Sequence, residues 1–161
     1  MSEPTRQELR ELQDTLYASR NPTRRWLHVA RRDWIVAAIR RHGAPGGRAL
    51  EVGPGSGVYL PVLAEAAAAV VAADIEDAYL DQARELAATI DKLEVVRDDI
   101  TASELQPGAY QLVLCTEVIE HIADSRSALA GLARALASDC VMVNSTPQKF
   151  SPMELAAKDA F

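Results

Sequence analysis

The 161-residue sequence predicts an α/β fold. Three observations carry that reading. Short apolar runs recur along the chain, at Ala49–Val52, Val70–Ile75, Leu93–Asp98, Tyr110–Thr116 and Cys140–Ser145. Between them lie stretches with apolar residues at three-to-four spacing, so strands and helices alternate as βα units do. The first run leads straight into a tight turn built on Gly53, Gly55 and Gly57, which opens onto a helix.

Taken in order, residues 5–19 carry weak helical patterning through Leu9, Leu12 and Leu16, broken at Ser19-Arg-Asn-Pro22. Pro22 suits the first turn of a new helix capped by Asn21. That helix is expected to reach Arg41, with Leu27, Ala30, Trp34 and Ala37 as its buried stripe. Seven arginines and one acid, Asp33, fall between Arg20 and Arg41. Such a run is either a solvated face or a contact for an anion or acceptor. Gly43-Ala-Pro-Gly-Gly47 ends the helix. After the glycine turn a helix is expected over Tyr59–Ala69, and the second strand ends in Asp74. The next helix spans Asp77–Thr89 with Asp77 as its cap. Strand three precedes Asp99-Ile100, strand four ends at Thr116-Glu117, and Ser125–Leu136 forms a helix burying Leu129, Leu132 and Leu136. Strand five stops at Thr146-Pro147.

Composition sets the outer bounds. With 48% hydrophobic residues the chain supports one domain with a real core. A net charge of −6 gives no general attraction to nucleic acid or an anionic membrane. The longest near-continuous apolar run, Ala66–Ala73, is far too short to span a bilayer, and the polar N-terminus lacks a signal-peptide core. Cys115 and Cys140 form no CxxC and read as reduced thiols at the sheet, so a cytoplasmic location is expected.

Glycines after a strand let the backbone pass close to a ligand, and a helix N-terminus adds unpaired N–H groups there. The dinucleotide fingerprint, however, places its third glycine three residues after the second. Here Val58 occupies that place, which disfavours a nicotinamide oxidoreductase. An acid closing the second strand, as Asp74 does, can accept hydrogen bonds from vicinal ribose hydroxyls.

The segment Glu51-Val-Gly-Pro-Gly-Ser-Gly57 resembles motif I, (E/D)xGxGxG, of the class I S-adenosylmethionine-dependent methyltransferases. Tyr110–Ile122 resembles their fDlVlc.EvlEHi segment, with Gln111 in place of the usual Asp. Asn21-Pro-Thr-Arg24 is similar to the NPLR segment of the ubiquinone-biosynthesis-type O-methyltransferases, which the motifs match best. The resemblance implies parallel strands in the order 3-2-1-4-5 with helices on both faces. It also implies S-adenosyl-L-methionine as cofactor, held by Glu51, Gly53, Gly55 and Gly57. Asp74 would hold the ribose with Ile75 beside it, and Asp99 and Ile100 the adenine. Asp98 stands where the family often has Gly, a one-residue ambiguity. Thr116 and Glu117 would meet the methionine part, and Arg24 its carboxylate.

Glu117, Glu120 and His121 match the ExxEH triplet that binds magnesium in some relatives. The RNA-modifying relatives need a further downstream histidine, whereas His28 and His42 lie upstream. No metal is therefore expected. His121 reads as a general base or as a structural cap of the turn, and is the one catalytic candidate. The implied reaction is methyl transfer to an oxygen, or less favourably a nitrogen, of a small-molecule acceptor. The alternative is a non-catalytic subunit or regulator with the same fold. The domain plan is an N-terminal helical segment over 1–42 and a cofactor-binding α/β domain over 43–161. The family's strands 6 and 7 have no counterpart, so the expectation is a C-terminal truncation or, as the alternative, a homodimer or another partner covering the strand-five edge.

Overall fold

The computed structural model describes Tyr17 and residues 19–147. The helical patterning at Leu9, Leu12 and Leu16 and the segment 148–161 lie outside them. The described elements are α1 (Pro22–Arg41), β1 (Ala44–Val52), α2 (Leu60–Ala66), β2 (Ala67–Asp74), α3 (Asp77–Ala87), β3 (Leu93–Arg97), β4 (Tyr110–Thr116), α4 (Ser125–Ala135) and β5 (Leu136–Ser145). Two short 3₁₀ turns sit at Ile100–Ala102 and Ile119–His121.

The five strands form one sheet in the order β3-β2-β1-β4-β5, and every neighbouring pair is parallel. Period-two alternation divides the core between its faces. Ala49, Val70, Ala72, Leu112, Leu114 and Val143 meet Ile35, Ile39, Leu60, Leu63 and Ala83 from α1, α2 and α3. Leu50, Val52, Val71, Ala73, Val113 and Cys115 meet Ala128, Leu132 and Ala135 of α4. The helices therefore cover both faces, as a parallel sheet requires.

Local chemistry explains the boundaries. Asn21 caps α1: its Oδ1 accepts from the N–H groups of Thr23 and Arg24 at 3.0 and 3.1 Å. The inward stripe of α1 differs from the expectation. Ile35 and Ile39 are buried, whereas Trp34 is 59% exposed and Ala37 is also exposed. One residue step turns a helix by about 100°, so apolar residues on two faces make the stripe ambiguous, and contact with α2 and the sheet selects the isoleucines. Leu129 on α4 is likewise exposed, because the 3₁₀ turn and the sheet take up the face of Ala128, Gly131, Leu132 and Ala135. Leu136 leaves the helix to open β5 and is half-buried.

Three boundaries also move. Ala44–Gly47 joins β1 rather than a loop, and the Arg48 N–H donates to Gln111 Oε1 at 2.7 Å, so Gln111 ties β4 to the start of β1. The second helix ends at Ala66, because Ala67–Ala69 pair with β1 as strand. Glu76, not Asp77, stands at the N-cap of α3, while Asp77 reaches Arg97 at 3.2 Å.

Candidate functional site

In an open parallel sheet a ligand site forms at the strands' carboxyl ends where the winding reverses. Here that place lies between β1 and β4, since β2 and β3 follow on one side and β5 on the other. A cleft of about 940 Å³ opens there. It is lined by the turn after β1, the ends of β2 and β3, the turn after β4 and the inner face of α1.

Strand pairing builds the floor. Glu51 lies in register with Ala72 and Leu114 on its two neighbours, which seats a carboxylate among apolar side chains. It is 1% exposed, and its Oε2 has no hydrogen-bond partner. Burial pushes the Glu51 carboxyl well above the usual carboxylate range. The following turn has positive φ at Gly53, Gly55 and Gly57, of 70°, 54° and 75°. A Cβ on Gly53 would stand 2.2 Å from Val118 Cγ2, so only glycine lets the turns after β1 and β4 approach this closely. Gly53 and Gly55 line the cleft; Gly57 faces Leu86 and Leu60 instead.

The ends of β2 and β3 form one wall. Asp74 Oδ1 accepts from the Glu76 N–H at 2.9 Å, and burial raises the Asp74 carboxyl above its ordinary value. Ile75, 49% exposed, and the buried Ile100 place apolar surface beside it. Gly131 helps set Ile100, because a Cβ there would collide with the Ile100 carbonyl of the turn that α4 packs on. Asp98 and Asp99 both line the cleft but are employed differently. Asp99 Oδ1 accepts from the N–H and Oγ1 of Thr101, and those bonds hold its carboxyl below the usual range. Asp98 Oδ1 accepts from the Glu104 N–H at 2.8 Å, while its Oδ2 is buried without a partner.

Thr116 and Glu117 reach the cleft at the end of β4. Glu117 has φ 58°, a left-handed conformation that costs a non-glycine residue about 1–3 kcal/mol. Three contacts hold it there. Its N–H donates to the Ser145 carbonyl at 2.9 Å, its Oε1 accepts from Ser145 Oγ at 3.1 Å, and its Oε2 lies 2.7 Å from Arg31 Nη1. With Glu117 turned to Arg31, the ExxEH triplet does not converge. The His121 side chain is 78% exposed at the cleft's rim, 3.9 Å from Glu120. Among the described residues no group of three His, Cys, Asp or Glu side chains is arranged to hold a metal ion.

Residues unforeseen from the sequence complete the lining. Tyr17, His28 and Arg31 cover one side, and Tyr59 and Tyr79 also reach in. Tyr17 and Tyr59 share a hydrogen bond, and burial raises both phenols. Arg24, expected at the cofactor, is not among the lining residues; Arg31, farther along the same helix, is. The available signal was helical phase: His28, Arg31 and Ile35 follow at three and four residues, on the face that Ile35 buries.

The charge of the lining narrows the chemistry. Among the described residues, Asp74, Glu76, Asp98, Asp99, Glu117 and Asp124, together with Glu51, which burial holds toward its neutral form, face one arginine, Arg31. That balance repels a pyrophosphate and favours a cation. The orphan oxygens of Glu51 and Asp98 fit a ligand that brings donors into the cleft. The cleft thus suits S-adenosylmethionine, with its ribose and adenine donors and its positive sulfonium and ammonium groups.

Comparison with known proteins agrees. A methyltransferase-domain family model matches residues 50–143. The ubiquinone biosynthesis O-methyltransferase of Xanthomonas campestris pv. campestris is 29% identical over 133 residues, 78% of this chain and 54% of its own. That of Hahella chejuensis is 32% identical over 98 residues, 58% of this chain and 40% of its own. The chain spans about half the length of the curated relatives it matches. A putative S-adenosyl-L-methionine-dependent methyltransferase from Methanococcus maripaludis superposes with a TM-score of 0.68 at 18% identity, over 89% of this chain and 66% of that one. A SAM-dependent methyltransferase from Aquifex aeolicus gives 0.67 at 16% identity, over 94% and 80%. These two share the fold. The matched family model, the strand order and the acid-lined cleft at the winding reversal lead to one conclusion: this chain belongs to the class I S-adenosylmethionine-dependent methyltransferase family.

Proposed function

We propose that this chain transfers a methyl group from S-adenosylmethionine to an oxygen of a small-molecule acceptor. The observation that carries the proposal is the cleft itself, whose described lining sets seven carboxyl groups against one arginine at the winding reversal. When bound, the cofactor supplies an electrophilic methyl group on a sulfonium cation. In this reading Asp74 accepts from the ribose hydroxyls, and Ile75 and Ile100 pack on the adenine. Asp98 or Asp99 accepts from its amino group; the orphan oxygen of Asp98 favours Asp98, since Asp99 is already engaged with Thr101. Glu51 and the turn through Gly53 and Gly55 form the floor, with Thr116 and Glu117 at the methionine end. Arg24, in the first turn of α1, stands outside the described lining.

In-line transfer to a positioned oxygen needs orientation more than acid–base help. A proton leaving the acceptor meets His121 at the rim, where the imidazole is exposed to take it. The relatives' name specifies O-methylation in ubiquinone biosynthesis. We extend from it only the oxygen nucleophile, ahead of a nitrogen. A second reading, a cofactor-binding subunit without turnover, draws on β5, which pairs only with β4 among the described residues. It predicts binding without methyl transfer and a partner strand or second copy on that edge.

Calorimetric titration with S-adenosylhomocysteine tests the proposal. The parent protein binds, and Asp74→Ala weakens binding by about tenfold or more, the scale of charge-assisted hydrogen bonds lost. A folded parent that does not bind overturns it.

A further inference from the structure

Arg31 and Ser145 lie far apart in sequence, on α1 and at the end of β5, yet both close on Glu117. Glu117 stands just past β4, and the register puts Thr116 opposite Ser145, so the two strand ends present adjacent polar groups. The Ser145 carbonyl takes the Glu117 N–H, and its hydroxyl donates to one carboxylate oxygen. Arg31 reaches the other oxygen from the opposite side of the cleft. Each oxygen of Glu117 therefore has an orienting partner on a different element. The left-handed backbone at Glu117 turns the side chain into the space these partners define.

We propose that Arg31 and Ser145 are positioning residues that hold Glu117 ready for the ammonium group at the amino-acid end of S-adenosylmethionine. This rests on the cofactor reading above. A flexible glutamate would lose rotamer freedom when a ligand arrived; here that freedom is already gone, so the ligand bears less of the ordering cost. The clamp reads only the amino-acid end, because the acids proposed for the adenosine part sit on β2 and β3.

The test uses two ligands. S-adenosylhomocysteine carries the amino-acid end, whereas 5′-methylthioadenosine lacks it. Arg31→Gln, Ser145→Ala and Glu117→Gln are titrated with both. Each substitution is expected to weaken S-adenosylhomocysteine by about tenfold, and 5′-methylthioadenosine by less than about twofold. The double variant Arg31→Gln/Glu117→Gln is expected to bind S-adenosylhomocysteine no worse than Glu117→Gln alone, because Arg31 acts through Glu117. Ser145→Thr, which keeps the hydroxyl, restores affinity. Full additivity in the double variant, or equal losses for both ligands, overturns the clamp while leaving the cofactor reading intact. A folded parent that binds neither ligand defeats that reading itself, and the clamp with it.

Discussion

Two glutamates stand at adjacent strand ends and solve opposite problems. Glu51 closes β1 in full burial with one oxygen unpartnered, and Glu117 follows β4 partly exposed with a partner on each oxygen. Glu51 bears a desolvation cost that a ligand's donors can relieve. Glu117 bears backbone strain that its contacts offset. The difference shows how one residue type serves a floor and a wall. The floor is set by the strand that carries it, the wall by elements far away in sequence.

The largest effect is expected where the two turns touch. Gly53 follows Glu51 by two residues and abuts Val118, the neighbour of Glu117. Gly53→Ala forces an unfavourable φ and a collision with the partly buried, branched side chain of Val118, destabilising the fold by about 3 kcal/mol. Gly46→Ala, on the same strand with open space around it, changes stability by less than about 0.5 kcal/mol. Chemical denaturation of the two variants gives the comparison. Equal stabilities would show that the β1 and β4 turns do not depend on each other.

Glu51 is tested through pH. Burial raises its carboxyl in the folded protein well above its unfolded-state value. Above that value the unfolded chain loses the proton while the folded one retains it. The folded state then binds more protons, so stability falls as pH rises, and the fall ends only when pH passes the folded-state value. The slope approaches about 1.4 kcal/mol per pH unit within that window. Glu51→Gln removes this contribution, so the parent and variant stability curves should diverge as the pH is raised above the unfolded value. Parallel curves would mean that Glu51 ionises normally in the fold. In both proteins Asp74, also raised by burial, adds a contribution of the same sign, which cancels in the difference.

The same contrast explains what the sequence could reveal. Strand ends carrying Glu51, Asp74 and Thr116 were legible because short apolar runs end in polar residues, and the motif spacing places the turn. The family resemblance supplied the strand order, which periodicity alone does not hold. Phase was harder to read on α1: Trp34 and Ile35 are neighbours, and only contact with α2 and the sheet decides which turns inward. Arg31 was hidden among seven arginines because its partner, Glu117, comes from a strand end far away in sequence. Asp98 and Asp99 were separable only once Thr101 was seen to claim one of them.

The smallest effect isolates the strain at Glu117. Glu117→Ala loses both side-chain contacts but keeps the left-handed backbone, whereas Glu117→Gly loses the same contacts and relieves the backbone. Glycine also adds freedom to the unfolded chain, which opposes that relief. The balance should leave the glycine variant more stable than the alanine variant by about 0.5–1 kcal/mol, the usual cost of a β-carbon at positive φ less this entropy. Thermal midpoints of the two variants, both lacking the clamp, read the difference directly. An alanine variant as stable as the glycine variant would mean the turn relaxes to an ordinary φ once the carboxylate is gone. The strain would then be a consequence of the clamp rather than a property of the turn. That distinction decides whether the backbone aims the side chain or the side chain's partners bend the backbone.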